Sequence, residues 1–325
     1  MVGTSPTMTR ADEGSVPLAL TMIIKVLGSA AGGGFPQANC NCRNCAAVRR
    51  GEPGLRPRTQ SSLAVSGNGR SWVLLNASPD IRQQIAATPE LQPAPGDGSR
   101  HSPIKAVVLT NGDVDHVAGL LSLREGIPFT LYASGRVHAA LAANPVFNVL
   151  DDRIVTRCTL PLDAQVRLAG GILIEAFAVP GKVALYLEEA TEADFGSRAG
   201  DTLGLRLTDP NRGASAFYIP ACAAMDQSLA ARLRGTQLVL FDGTLYTDDE
   251  MIAQGLSSKT GRRMGHISMA GAQGTIAAFA GLDVQRGVFV HINNSNPVLR
   301  EDSHERREIE RAGWEVAWDG MEIHL

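Results

Sequence analysis

Val107-Val108-Leu109-Thr110-Asn111-Gly112-Asp113-Val114-Asp115-His116-Val117-Ala118-Gly119-Leu120 is the stretch on which the reading of this chain turns. Three β-favouring residues run into a polar segment, and an apolar, helix-capable segment follows. A buried strand that ends this way delivers side chains to a site at its C-terminal edge. Downstream, Phe129 to Ala133 reads as a strand and Arg136 to Ala143 as a short helix. Upstream, Leu63–Val65 and Trp72–Leu75 flank Gly67-Asn68-Gly69 as a hairpin, and Asn76-Ala77-Ser78-Pro79-Asp80 turns into a helix carrying Ile81 and Ile85.

Further out, Ile23 to Leu27 is a first strand, followed by a loop of small residues from Gly28 to Gly34. That loop is no phosphate cradle, because no Gly-Lys-Ser/Thr follows it. Pro89 to Pro103 is a Pro/Gly-rich surface loop. Short β-patterns recur at Val166–Leu168, Ile172–Val179, Val183–Leu187 and Thr202–Leu207, with an acidic hairpin or flap at Glu188 to Gly200. Ala216–Ile219 and Gln237–Phe241 bracket a helix from Met225 to Leu233, and Gly243 to Gly265 is a long polar loop. A helix at Met269–Ala280 leads to the strand Gly287–His291. Glu301–Arg311 is a last helix, and Glu315–Trp318 with Met321–His324 is a terminal hairpin. Periodicity alone gives a mixed α/β chain.

Of the 325 residues, 44% are hydrophobic and 19% charged, which supplies a real apolar core. A net charge of −3 argues against nucleic acid or an anionic membrane surface as the main partner. No apolar run has the length needed to cross a bilayer. Residues 1–21 are polar and low in complexity and read as a disordered leader, with Met22 a natural first residue; residues 22–325 read as one domain. Pro17 to Leu20 is too short an apolar core for a secretory signal, so a cytoplasmic location is expected.

Five cysteines do not make a disulfide framework here. Cys40, Cys42 and Cys45 fall within six residues, and Cys158 and Cys222 stand alone. Three thiolates in one short segment converge on a tetrahedral Zn(II), leaving one vertex for a distant residue; a closed site of this kind is structural. The loop Lys259-Thr260-Gly261-Arg262-Arg263 is basic, and beside a site it would hold carboxylates, bidentately through arginine.

The opening stretch resembles the metal loop of the metallo-β-lactamase superfamily, H-x-H-x-D-H followed by an apolar helix. Further stretches closely resemble one family within it, which serves pyrroloquinoline quinone (PQQ) biosynthesis: Lys25 to Gln37, the Cys40–Cys45 clip, Asn76 to Gln84, Thr110 to Gly119, and His291 to Pro297. One departure is Ala38, where that family carries tryptophan.

The resemblance implies an α/β-β/α sandwich, two mixed sheets with helices on the outer faces. It puts Asn111 and Asp113 where the first two metal histidines belong, Lys182 near the third, and no carboxylate around Ala221 where a bridging aspartate is usual. Asp115, His116 and His291 keep the other metal position. One carboxylate and two imidazoles suit non-haem Fe(II), with positions left for O₂ and substrate. His266 resembles a superfamily histidine that serves as acid/base or substrate contact, and Asp242, which ends a buried strand, is placed to orient it or a metal-bound water. Asn294, three residues after His291, is a candidate fourth ligand for the zinc. The function implied is hydroxylation of the tyrosine ring in a Glu–Tyr-derived PQQ precursor, with Arg82, Arg262 and Arg263 holding its carboxylates and with other pathway proteins as possible partners. A carrier of PQQ or its precursor and a metal-dependent hydrolase of the precursor peptide are the alternatives.

Overall fold

The apolar runs of this chain are buried on both faces of two sheets, and that fixes the layering. The computed structural model describes residues 21–189 and 197–325. The expected leader lies almost wholly outside the described residues, as does the middle of the expected acidic flap.

In chain order the elements are β1 (Ile23–Gly28), α1 (Arg43–Arg49), β2 (Ser62–Ser66), β3 (Trp72–Leu75), α2 (Ile81–Ala87), β4 (Ile104–Val108), α3 (Val114–Val117), β5 (Phe129–Ala133), α4 (Gly135–Ala142), β6 (Val155–Thr159) and β7 (Gln165–Arg167). Then come β8 (Leu173–Ala178), β9 (Leu203–Thr208), β10 (Ser215–Ile219), α5 (Gln227–Leu233), β11 (Leu238–Asp242), α6 (Glu250–Ala253), α7 (Thr275–Phe279), β12 (Gly287–Val290), α8 (His304–Arg311), β13 (Trp314–Val316) and β14 (Glu322–His324). Two seven-stranded sheets result, ordered β14-β1-β2-β3-β4-β5-β6 and β13-β12-β11-β10-β9-β8-β7. Each is mixed: β3 to β6 and β10 to β13 run parallel, and the remaining pairs run antiparallel.

Alternation along each strand sends residues to opposite layers. Val108 of β4 joins Val26, Val65, Leu205, Leu240 and Val290 in the core between the sheets. Its neighbour Val107 joins Leu74, Ile81, Leu131 and Leu141 under the helices of the first sheet. Phe217, Phe241 and Phe289 face the other way, against Leu229, Phe279, Ile309 and Trp314. The Phe289 and Trp314 rings stack at 4.3 Å between centroids. This is the α/β-β/α sandwich.

Four local expectations are corrected. Val183–Leu187 is not a strand: both edges of β8 are already paired, by β7 and β9, so the segment crosses the mouth of the site and turns at Leu185–Leu187. Glu315–Trp318 and Met321–His324 are not a hairpin. Strand β13 pairs parallel with β12 and β14 antiparallel with β1, because Asp319 turns the chain from one sheet to the other by accepting from Ser29 and Thr59. The helix expected at Met269–Ala280 shrinks to α7, since Gly271 takes a φ of +92° that a helix cannot contain. The polar loop from Gly243 to Gly265 contains α6 and a helical turn at Arg262–Met264.

Candidate metal centre

Three strand ends build the centre. Strand β4 stops at Val108, and its continuation is clasped by Asn76, whose side chain accepts from the Thr110 N–H at 2.9 Å and donates to Thr110 Oγ1 at 2.9 Å. The Leu203 N–H donates to the Thr110 carbonyl across the gap between the sheets. That fixes the start of the short helix α3, which carries Asp115 and His116. Strands β11 and β12 lie side by side with Asp242 opposite Val290, so Asp242 and His291 emerge together. His291 has a φ of +56°, uncommon for a residue with a Cβ, and this turn aims its ring back across the sheet edge at α3.

One ligand atom each from Asp115, His116 and His291 lies within 4.8 Å of the others. Asp115 Oδ2 is 3.0 Å from His291 Nε2 and 3.8 Å from His116 Nε2. The His116 and His291 rings meet edge-on at 5.3 Å between centroids. His116 Nδ1 lies 2.6 Å from Asn111 Oδ1, an oxygen that can only accept, so Nδ1 carries the proton and Nε2 offers a lone pair. That Nε2 is buried and makes no hydrogen bond. A buried, unpartnered imidazole nitrogen beside a carboxylate and a second imidazole fits a cation.

The charges agree. Burial pushes the Asp115 carboxyl up, but the His116 ring and the His291 hydrogen bond outweigh it and hold it well below the usual carboxylate range. Burial likewise opposes charge on His291, yet the bond to Asp115 raises its pKa, whereas burial prevails at His116 and lowers it. The Asp115–His291 gap is therefore one that a proton or a metal cation can bridge.

Behind this triad, Asp242 is fully buried and accepts from His266 Nδ1 at 2.8 Å and from the Cys222 N–H at 2.9 Å. His266 stacks on His291 with ring centroids 5.2 Å apart. Asp115, His266 and His291 line a cavity of about 420 Å³, whose other walls include Leu185, Met251, Met264, Lys182 and Lys259.

The cysteines form a second cluster, with their sulfurs within 4.8 Å of one another. Cys42 caps the N-terminus of α1, and Cys45 sits inside that helix. The side chain of Asn294 points into the cluster, with Nδ2 at 3.0 Å from Cys40 Sγ and 3.3 Å from Cys45 Sγ. A half-turn of the near-isosteric amide presents Oδ1 there instead, the end that can bind a cation. Asn44 on α1 donates to the carbonyls of Asn294, Ser295 and Asn296, tying the clip to the loop that carries His291.

The beta-lactamase superfamily domain matches residues 71–292. Coenzyme PQQ synthesis protein B from Methylorubrum extorquens (strain ATCC 14718 / DSM 1338 / JCM 2805 / NCIMB 9133 / AM1) is 51% identical over 304 residues, covering 94% of this chain and all of that protein. Its counterpart from Rhodopseudomonas palustris (strain BisB5) is 52% identical over 310 residues, with 94% and 100% covered. The crystal structure of Zn(2+)-bound PqqB from Methylobacterium extorquens superposes with a TM-score of 0.89 at 51% identity, over 93% of this chain and all of that one. The chain belongs to the PqqB family.

Within a PqqB-family chain of the beta-lactamase superfamily, the fate of the other metal position is informative. Asn111 serves as the acceptor that orients His116. Lys182 Nζ lies 3.6 Å from Asp113 Oδ1 and 3.8 Å from Glu188 Oε1, so an ammonium stands among the carboxylates there. Of the three arginines expected to meet substrate, none lines the cavity. Arg82 is exposed, because Ile81 and Gln84 take the inward face of α2. Arg263 pairs with Glu188 at 2.8 Å, and with Arg262 it lines a neighbouring cleft. The cations that do face the cavity are Lys182 and Lys259. Thr244 is a further residue of the site; its position two residues beyond Asp242, where β11 ends, is the sequence signal that both can face the same way.

Proposed function

We propose that this protein acts in the cytoplasm in coenzyme PQQ synthesis, as an oxygen-dependent hydroxylase of the tyrosine ring in a Glu–Tyr-derived precursor. Asp115, His116 and His291 would hold Fe(II), and Cys40, Cys42 and Cys45 with Asn294 would hold a structural Zn(II). The observation that carries the reading is the unpartnered, buried His116 Nε2 beside the Asp115–His291 pair, which lines the cavity. A carboxylate and two imidazoles leave open positions on Fe(II), which supplies redox chemistry that no side chain offers.

The rest falls to the chain. Leu185, Met251 and Met264 give the cavity the apolar wall that an aromatic ring needs, and Lys182 and Lys259 stand where its carboxylates would be met. His266 spends Nδ1 on Asp242 and keeps Nε2 to take or give a proton on the cavity side. Ring hydroxylation places one oxygen atom of O₂ in the substrate and reduces the other to water with two electrons from an external reductant. The ammonium of Lys182 between Asp113 and Glu188 weighs against a second ion, and so against a two-metal hydrolysis. Among the described residues no helix is long and apolar enough to cross a membrane.

The test is anaerobic loading with Fe(II), then addition of precursor, reductant and ¹⁸O₂. The expected product carries the heavy isotope on the ring, and His116→Ala yields none. Equal product from His116→Ala, or product formed with Zn(II) under argon, would overturn the reading, the latter in favour of hydrolysis.

A further inference from the structure

Thr244 is buried, and its hydroxyl contacts four groups at once. Oγ1 lies 2.7 Å from Asp242 Oδ1, 2.9 Å from His291 Nδ1, 3.0 Å from His266 Nδ1 and 3.0 Å from the His291 carbonyl oxygen. A hydroxyl has one proton to give, so the contacts can be assigned by counting. Asp242 accepts from the Cys222 N–H and His266 Nδ1 on Oδ2, and from the Thr244 N–H on Oδ1. Two oxygens at 2.7 Å need a proton between them, and Asp242 Oδ1 already accepts from the Thr244 N–H. That proton is the threonine's. What Oγ1 then offers His291 Nδ1 is a lone pair, so Nδ1 must carry hydrogen.

We infer that Thr244 is a positioning residue: through Asp242 it holds hydrogen on His291 Nδ1, so that the metal-facing Nε2 is the nitrogen that yields its proton and becomes the donor to a cation. The same carboxylate orients His266, so one fully buried group sets both rings. His116 reaches the same state by another route, through Asn111. Both imidazoles therefore turn Nε2 toward Asp115, and a cation that binds there displaces the proton shared by His291 Nε2 and Asp115, with none to be moved across either ring. This rests on the metal reading above and goes beyond it by assigning the outer hydrogen bonds their work.

The test compares Thr244→Val, which keeps shape and loses the hydroxyl, with Thr244→Ser, which keeps the hydroxyl. Fe(II) affinity is measured under argon against a chelating indicator, on protein whose cysteine clip already holds zinc. The wild type should take one Fe(II), the valine variant should bind it about 10- to 100-fold more weakly, and the serine variant should stay within about threefold of the wild type. Valine binding as tightly as wild type, or serine binding as weakly as valine, would overturn the inference. A wild type that takes no Fe(II) would instead bring down the metal reading on which it rests. Independently of any variant's folding, long-range ¹H–¹⁵N spectra of the Zn(II)-loaded wild type should show His291 protonated at Nδ1; a bare Nδ1 overturns the inference.

Discussion

Replacing Gly119 with alanine tests how the fold holds α3 and its two metal-facing side chains. Gly119 packs against the turn that follows β3: its N–H donates to the Ala77 carbonyl at 2.9 Å, and the Ala77 N–H donates to the His116 carbonyl at 2.8 Å. A Cβ at this position would lie 2.1 Å from the Ser78 carbonyl oxygen and 2.7 Å from that of Ala77. Both are backbone atoms, so no side chain can swing away, and the two segments must part by about 1 Å. Overpacking of this sort costs about 1–3 kcal/mol, and each backbone hydrogen bond lost about 1 kcal/mol more. Alanine's better helical propensity returns at most about 1 kcal/mol. The net loss is about 2–4 kcal/mol, a large share of a typical domain's stability. Urea unfolding followed by circular dichroism should show the midpoint fall with the slope unchanged. Because His116 is bonded to the same turn, Fe(II) affinity should fall as well. A variant within about 0.5 kcal/mol of wild type and with unaltered Fe(II) binding would refute the reasoning.

Asn294→Ala should leave the three thiolates with an open vertex; zinc should then pass to a chelator at lower concentration than from wild type, and Fe(II) affinity should drop with it, because the same loop carries His291. Glu250 is predicted to give a pH signature. Burial pushes its carboxyl up to about 7, against hydrogen bonds from Ser295 and the Tyr246 N–H that favour the ionised form. The unfolded chain loses this proton near its ordinary value of about 4.3, while the folded chain keeps it to about 7. Its contribution is therefore complete below pH 4 and declines as pH rises to about 7, so stability falls across that window. Glu250→Gln should flatten that fall in urea titrations at pH 5 and pH 7.5, and an unchanged slope would contradict the assignment.

The stretch from Val107 to Leu120 was legible because it combines a strand period with a polar terminus, and the three cysteines because their spacing allows few alternatives. What stayed hidden depended on partners distant in sequence. Val183–Leu187 has β-forming side chains, but whether a sheet edge is free to receive it is settled by β7 and β9. The strands at 315 and 322 look like a hairpin until Asp319 is seen binding Ser29 and Thr59, some 260 to 290 residues away. Basic residues were expected at the cavity; Arg263 pairs with Glu188, and the basic residues lining it are Lys182, from another loop, and Lys259. Thr244 carried only one local mark of its role, the two-residue spacing from Asp242, since its four contacts come from two strand ends and a loop.

The central claim is that one ion sits where Asp115, His116 and His291 converge and none sits at the position Lys182 occupies. Anomalous diffraction across the iron edge, from crystals loaded with Fe(II) under argon, tests it directly. The account predicts one iron peak within bonding distance of Asp115 Oδ2, His116 Nε2 and His291 Nε2. A second peak beside Asn111 and Asp113, or iron bound without His291, would contradict it.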